Sequence, residues 1–231
     1  HLHYNPVPND PMPVVTPNKE PDKKKPWWKP RQIEGPEDQK SIVNNRSHEG
    51  EDLAADLPAN LHMKNIGSKL DGAGMCVFTS IEMAALWVGL DQFKGFRDWC
   101  AAKYPGGGYP SKVEKLISAY CKDKNISIPD YLNVEIKSPE QMLEIIDRTG
   151  RMSSITYGYS PRYGQRIAHM VCGSKHSGKW GVVLDNNFPG VDKYEWMSNQ
   201  ELVRRSQVGN SGNTWIFVWL EPSPPPLPKN V

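Results

Sequence analysis

Cys76 stands where the glycine-rich run Asp71-Gly72-Ala73-Gly74-Met75 gives way to a stretch that no Gly or Pro interrupts before Gly89. That places the thiol in the first turn of a helix, where unpaired backbone N–H groups and the helix dipole favour negative charge. A thiolate held there is a nucleophile, whereas a cysteine that only fills a gap between helix and sheet is inert. Glycines just ahead of it leave room for a substrate backbone to approach. Thiol chemistry also needs a base, and the base needs a group that holds its ring. His169, in Arg166-Ile167-Ala168-His169-Met170-Val171, opens a segment that reads as strand. Gly181-Val182-Val183-Leu184 reads as its antiparallel return and ends in Asp185-Asn186-Asn187-Phe188. That return brings a carboxylate or a carboxamide alongside His169, to accept the imidazole N–H. The set suits attack of sulfur on a carbonyl carbon, with the imidazole moving the proton and no metal or organic cofactor required.

The elements that must position these residues follow from periodicity. After the Cys76 helix, Phe93, Phe96, Trp99 and Cys100 recur at helical spacing and mark one face of a second helix. Ser111-Lys112-Val113-Glu114 has the capping-box pattern of a third, with Val113, Leu116, Ile117 and Tyr120 on its buried face. Residues Ile126 to Ile136 suggest extended chain broken at Pro129. Ser138-Pro139 with Gln141 predicts the start of a fourth helix, ending at Gly150. Strands are expected over 153–159, 167–172, 180–184 and 214–220, with Lys175-His176-Ser177-Gly178 as the turn of a hairpin. A short helix is expected near Asn199-Gln200-Glu201-Leu202. Helices first and strands second predict an α+β domain.

Composition sets the boundaries. Of the 21 prolines, nine fall in residues 1–36 and five in 222–231, so the folded unit is expected over about 41–221 between two extended arms. Residues 1–40 carry Lys23, Lys24, Lys25, Lys29 and Arg31 around Trp27-Trp28, a patch suited to docking on the protein itself or a partner. The 222–231 tail has the extended form that proline-recognising domains bind, and serves equally as a linker. A net charge of +2 gives no indication of nucleic-acid binding, and no apolar run is long enough to span a membrane. The chain opens on His1 without a signal peptide, and with its long arms this favours a secreted or cell-surface setting. Four cysteines are too few for a disulfide scaffold, although Cys100 and Cys121 end successive helical patterns and could pair. No CxxC or zinc spacing occurs.

A cysteine at a helix start, then Ala-His opening a strand, then an apolar strand ending in Asn, resembles the order in papain-like cysteine peptidases. The compact spacing is similar to the bacterial branch that includes the bacteriocin-leader (C39-like) peptidases. The resemblance covers about 62–220 and implies a helical half, with the nucleophile helix packed on a C-terminal antiparallel sheet. It implies Cys76 as nucleophile and His169 as general base and acid. Leu184-Asp185-Asn186-Asn187-Phe188 is similar to the papain-type strand end, which places the orienting role on Asn186, with Phe188 as apolar shield. The leader-peptidase branch uses an Asp after the apolar run, which makes Asp185 the alternative. Alternation sends the two side chains to opposite faces, so only one serves. Papain-like enzymes carry an oxyanion-hole glutamine about six residues before the cysteine, where this chain has Leu70. Among the polar neighbours Ser68, Asp71 and Asn65, only Asn65 offers a comparable amide, beside Gly74 and the Cys76 backbone N–H. Losing one such donor costs about 10²–10³ in turnover.

Of the other histidines, His176 falls in a turn-rich stretch, and His1, His3, His48 and His62 lie in tail or loop or ahead of the core. Cys172 reads as core, and Glu82 and Glu195 show no evident partner. The expected function is a thiol-dependent hydrolase cleaving a peptide or isopeptide bond in a peptide or protein substrate. Acyl transfer would use the same residues. The alternative is a catalytically weak or inactive module of an extracellular or particle assembly, to which the missing glutamine and the arms point, the arms then binding protein partners.

Overall fold

Among the described residues, a six-stranded sheet and five helices take their places from which faces the residues bury. The computed structural model describes residues 47–48, 51–52, 61–67, 74–136, 138–163, 166–176, 180–188, 195–208 and 213–221. Both proline-rich arms, the Trp27-Trp28 patch, and Ser68, Leu70 and Asp71 lie outside them. Two short strands, β1 (Ser47–His48) and β2 (Glu51–Asp52), pair with each other. The main body follows as α1 (Cys76–Trp87), a 3-10 turn (Asp91–Phe93), α2 (Phe96–Lys103), α3 (Pro110–Lys124) and β3 (Tyr131–Ile136). It continues as α4 (Glu140–Thr149), β4 (Ser153–Tyr157), β5 (His169–His176), β6 (Trp180–Leu184), β7 (Glu195–Ser198), α5 (Asn199–Ser206) and β8 (Thr214–Trp219). Strands β3 to β8 form one sheet in the order β3-β8-β4-β5-β6-β7, antiparallel throughout. The fold is α+β. No helix among the described residues is long and apolar enough to cross a membrane.

The sheet is covered on both faces. On one, α1, the 3-10 turn, α2 and α3 pack Phe78, Ile81, Phe93, Phe96, Leu116 and Tyr120 against Met170 of β5 and Trp215, Phe217 and Trp219 of β8. On the other, Met142 and Ile146 of α4 and Leu202 and Val203 of α5 meet Ile155, Val171, Val183, Met197, Ile216 and Val218. Alternate residues of β8 therefore serve opposite layers, and all six are buried. Three hydrogen bonds fix α1 on its face: Trp219 Nε1 to Ile81 O at 3.1 Å, Ser80 Oγ to Met170 O at 3.1 Å, and Cys172 Sγ to Ser80 O at 3.2 Å.

Several boundaries differ from the expectation. α3 begins one residue early, at Pro110, with Tyr109 as a cap that has no side-chain bond, because proline's fixed φ and missing N–H suit the first helical position. α4 begins at Glu140, and Ser138 places its backbone carbonyl, not its hydroxyl, on Gln141 N at 3.0 Å. The side-chain cap that does form belongs to α5, where Ser198 Oγ accepts from Glu201 N at 3.1 Å. β5 runs on to His176, so Lys175 and His176 are strand and not turn. Cys100 and Cys121 are unbridged, and all four cysteines are buried free thiols.

Candidate active site

Cys76 opens α1, and the first turn of that helix has neither a side-chain cap nor an acidic residue. Its approach is set by Met75 N donating to Ile66 O at 2.7 Å and by an isolated bridge between Gly67 and Gly74. Gly74 is thus a buried backbone partner of segment 61–67. His169 opens β5 opposite Tyr157 of β4. Cys76, His169 and Asp185 are each 0% exposed.

His169 Nε2 lies 2.8 Å from Asp185 Oδ1. The contact follows from strand register: Cys172 pairs with Leu184, so Asp185 emerges one residue past that pair, beside the start of β5. Phase decides which side chain arrives. Val182 and Leu184 of β6 pack with Met83 of α1, while Val183 packs with Val171 in the opposite layer. Alternation therefore gives Asp185 the side of the sheet that Val171 and His169 share, and turns Asn186 towards α1. There the Asn186 amide donates to Ser80 Oγ and Met170 O, each at 3.0 Å, and to Cys76 O at 3.4 Å. The expectation that Asn186 holds the imidazole is corrected: that contact belongs to Asp185, the alternative.

Asp185 is bonded through both oxygens. Oδ1 also accepts from Asn187 N at 2.9 Å, and Oδ2 accepts from Tyr163 Oη at 2.7 Å. Phe188 N closes the turn on Asp185 O at 2.9 Å, giving an Asx-stabilised turn over 185–188. Burial alone would raise this carboxyl, but the His169 charge and the hydrogen bonds from His169, Tyr163 and Asn187 hold it below its ordinary value. For His169 burial works to lower the pKa, and it is outweighed by the Asp185 carboxylate and by Cys76, which push it up to about 10. Cys76 acts on the ring through its charge, while His169 Nδ1, the ring nitrogen that does not meet Asp185, makes no hydrogen bond among the described residues.

Segment 61–67 lines the same turn. His62 Nε2 bonds Asp185 O at 2.8 Å, and Asn65 N donates to Asn186 O at 2.7 Å. Asn65 Nδ2 donates to Asn187 Oδ1 at 3.0 Å, and Asn187 Nδ2 to Tyr163 Oη at 3.2 Å. The Asn65 amide is therefore built into the support of the turn, and His62, which precedes the core in sequence, supports it too. Phe188 packs on the ring of Tyr163, centroids 5.4 Å apart, with the Arg162 guanidinium 4.7 Å from its own centroid. Tyr163 went unread in the sequence because it sits in no periodic element or motif, and Asn187, although inside the strand-end motif, was given no role there.

Two residues expected to lack partners have them. Glu82 accepts from Arg97 N at 2.8 Å, joining α1 to α2. Glu195, wholly buried at the start of β7, accepts from Tyr157 Oη at 2.7 Å and Ser160 Oγ at 2.9 Å, and pairs with Arg205 at 3.3 Å and Arg162 at 3.5 Å. No group of three or more His, Cys, Asp or Glu among the described residues could hold a metal ion. Such an arrangement can hold an imidazolium next to a thiol and return its proton to a leaving group. Compared with protein families the chain matches no family model, and no curated protein is significantly similar to it.

Proposed function

We propose that the chain is a thiol-dependent hydrolase of papain-like fold that cleaves a peptide or isopeptide bond. The observation that carries this reading is the buried His169–Asp185 pair at 2.8 Å, whose imidazole is pushed up to about 10 by Asp185 and Cys76. An imidazole so disposed stays protonated at neutral pH and can stabilise a thiolate beside it. Asp185 in the orienting position fits the leader-peptidase branch that the sequence resembles.

The thiolate of Cys76 adds to the carbonyl carbon, forming the C–S bond. The first-turn N–H groups of α1, free of any side-chain cap, suit the oxyanion that develops. The imidazolium of His169 gives its proton to the leaving amine as the C–N bond breaks, leaving a thioester. Water then attacks, His169 takes its proton, and the C–S bond breaks to release the carboxylate. Asp185 holds the ring and stabilises the imidazolium throughout.

Alkylation of Cys76 by iodoacetamide between about pH 4 and pH 9, followed by mass spectrometry in the wild type and His169→Ala, tests the reading. A rate that stays high into acid and falls in the variant is the expected result. A rate that rises only as an ordinary thiol ionises, indifferent to His169, overturns it. Complete burial of both Cys76 and His169 favours a second reading, a module that keeps the pair without turnover. That outcome would identify it.

A further inference from the structure

The connection from β4 to β5 is built as a strap. Gly158 N donates to Arg205 O, and Ile167 N returns to Gly158 O at 2.9 Å, closing the base of the loop. A Cβ at Gly158 would lie 1.8 Å from Gln207 O, so only glycine lets the chain pass the end of α5. Beyond it, Ser160 Oγ donates to Glu195 Oε2 at 2.9 Å and also accepts from Arg162 N at 3.3 Å. Arg162 pairs with Glu195 at 3.5 Å, and Tyr163 N donates to Ser160 O at 3.0 Å. The far end of this turn delivers Tyr163 Oη to Asp185 Oδ2 at 2.7 Å. Two buried carboxylates thus grip one loop, Glu195 at its shoulder and Asp185 at its tip.

We propose that residues 158–163 are a positioning strap, in which Glu195 anchors Ser160 and Arg162 so that Tyr163 fixes the carboxylate of Asp185 against His169. Tyr163 is a positioning residue: its hydroxyl occupies the oxygen of Asp185 that His169 does not use, so the carboxylate cannot rotate away from the imidazole. Asn187 Nδ2 in turn donates to the Tyr163 oxygen, leaving its hydrogen for Asp185. The proposal rests on the hydrolase reading for its catalytic meaning, and on geometry alone for the strap.

The charged and titratable groups that face Asp185 come from every neighbouring element. They are His169 from β5 with Cys76 of α1 beyond it, Tyr163 from the strap, His62 at the backbone carbonyl and the Glu195 charge from β7. Removing the Tyr163 hydroxyl takes a hydrogen bond from the ionised carboxylate, so protonation becomes easier. In Tyr163→Phe the 13C NMR titration midpoint of the Asp185 carboxyl is expected to rise by about one pH unit. The acid limb of His169-dependent Cys76 alkylation should move up with it. Ser160→Ala, which loosens the anchor without touching Asp185, should shift both in the same direction by less and speed amide exchange over 158–163. An unmoved carboxyl midpoint in folded Tyr163→Phe overturns the strap; if that variant does not fold, an unmoved midpoint in Ser160→Ala does so. The carboxyl titration needs no reaction, so it decides the strap separately. Absence of His169-dependent alkylation in the wild type strikes the hydrolase reading instead.

Discussion

Asp185 and Asn186 are adjacent and both buried, yet they do different work. The carboxylate collects His169, Tyr163 and Asn187, and the carboxamide ties the turn to Ser80 and Met170. Substituting each tells them apart. Asp185→Asn keeps the shape but cannot offset an imidazolium, so Cys76 alkylation at pH 6 should fall by more than about tenfold. Asn186→Ala should keep His169-dependent alkylation and lower stability by about 1–3 kcal/mol, since it removes the buried hydrogen bonds to Ser80 Oγ and Met170 O. Kinetics by mass spectrometry and denaturant titration of the two variants check both. The candidates Cys76, His169 and the pair Asp185/Asn186 were legible from residue type and order. Which of the pair serves was not, because β6 lies in a sheet covered on both faces. Its run Gly181-Val182-Val183-Leu184 is apolar on each side, so no alternation of apolar and polar residues fixes the phase.

At the scale of elements, legibility tracked how strongly the local signal was written. α1 could be bounded from an uninterrupted run, and α4 from Gly150, which takes a left-handed φ of 61° at its end. β6 and β8 followed from their apolar content. β7 did not, since Glu195 opens it and only three residues separate that glutamate from α5. Its charge reads as surface until the partners Tyr157, Ser160 and Arg205 are brought to it from distant stretches. Ser198 to Glu201 has the capping-box spacing, a signal present in the sequence that would have placed the start of α5. The most demanding junction is between the strap and α5. Gly158→Ala drives a methyl into a backbone carbonyl that cannot yield as a side chain would. It should cost about 3 kcal/mol or more, read as a drop in the denaturation midpoint.

For the whole molecule, the buried pair ties stability to pH. His169 is pushed up from 6.5 to about 10 in the folded chain, so its contribution is complete below about 6.5 and is lost as pH rises through about 10. Asp185 is held below its ordinary value, so its contribution is present above that value and fades as pH falls through the depressed one. Glu195, raised by burial against the pull of Arg162 and Arg205, works the other way and costs stability as it ionises. Between pH 6.5 and 10 the wild type should lose stability with a slope approaching about 1.4 kcal/mol per pH unit from His169. Asp185→Asn should flatten that limb, as denaturant titrations at several pH values will show.

The position of β8 bears on the order in which the molecule can be made. Among the described residues it is the last strand, yet it lies second in the sheet, between β3 and β4, and carries Trp215, Phe217 and Trp219 into the layer beneath α1. A nascent chain that has emerged only as far as residue 213 holds β3 on one side and β4 to β7 on the other, with nothing to join them. The thiol and its imidazole are by then already synthesised, as is Met170 of β5, but the part of the floor under α1 that Trp215, Phe217 and Trp219 make is not. Assembly of this site is thus a late event of synthesis, gated by six residues at the far end of the domain.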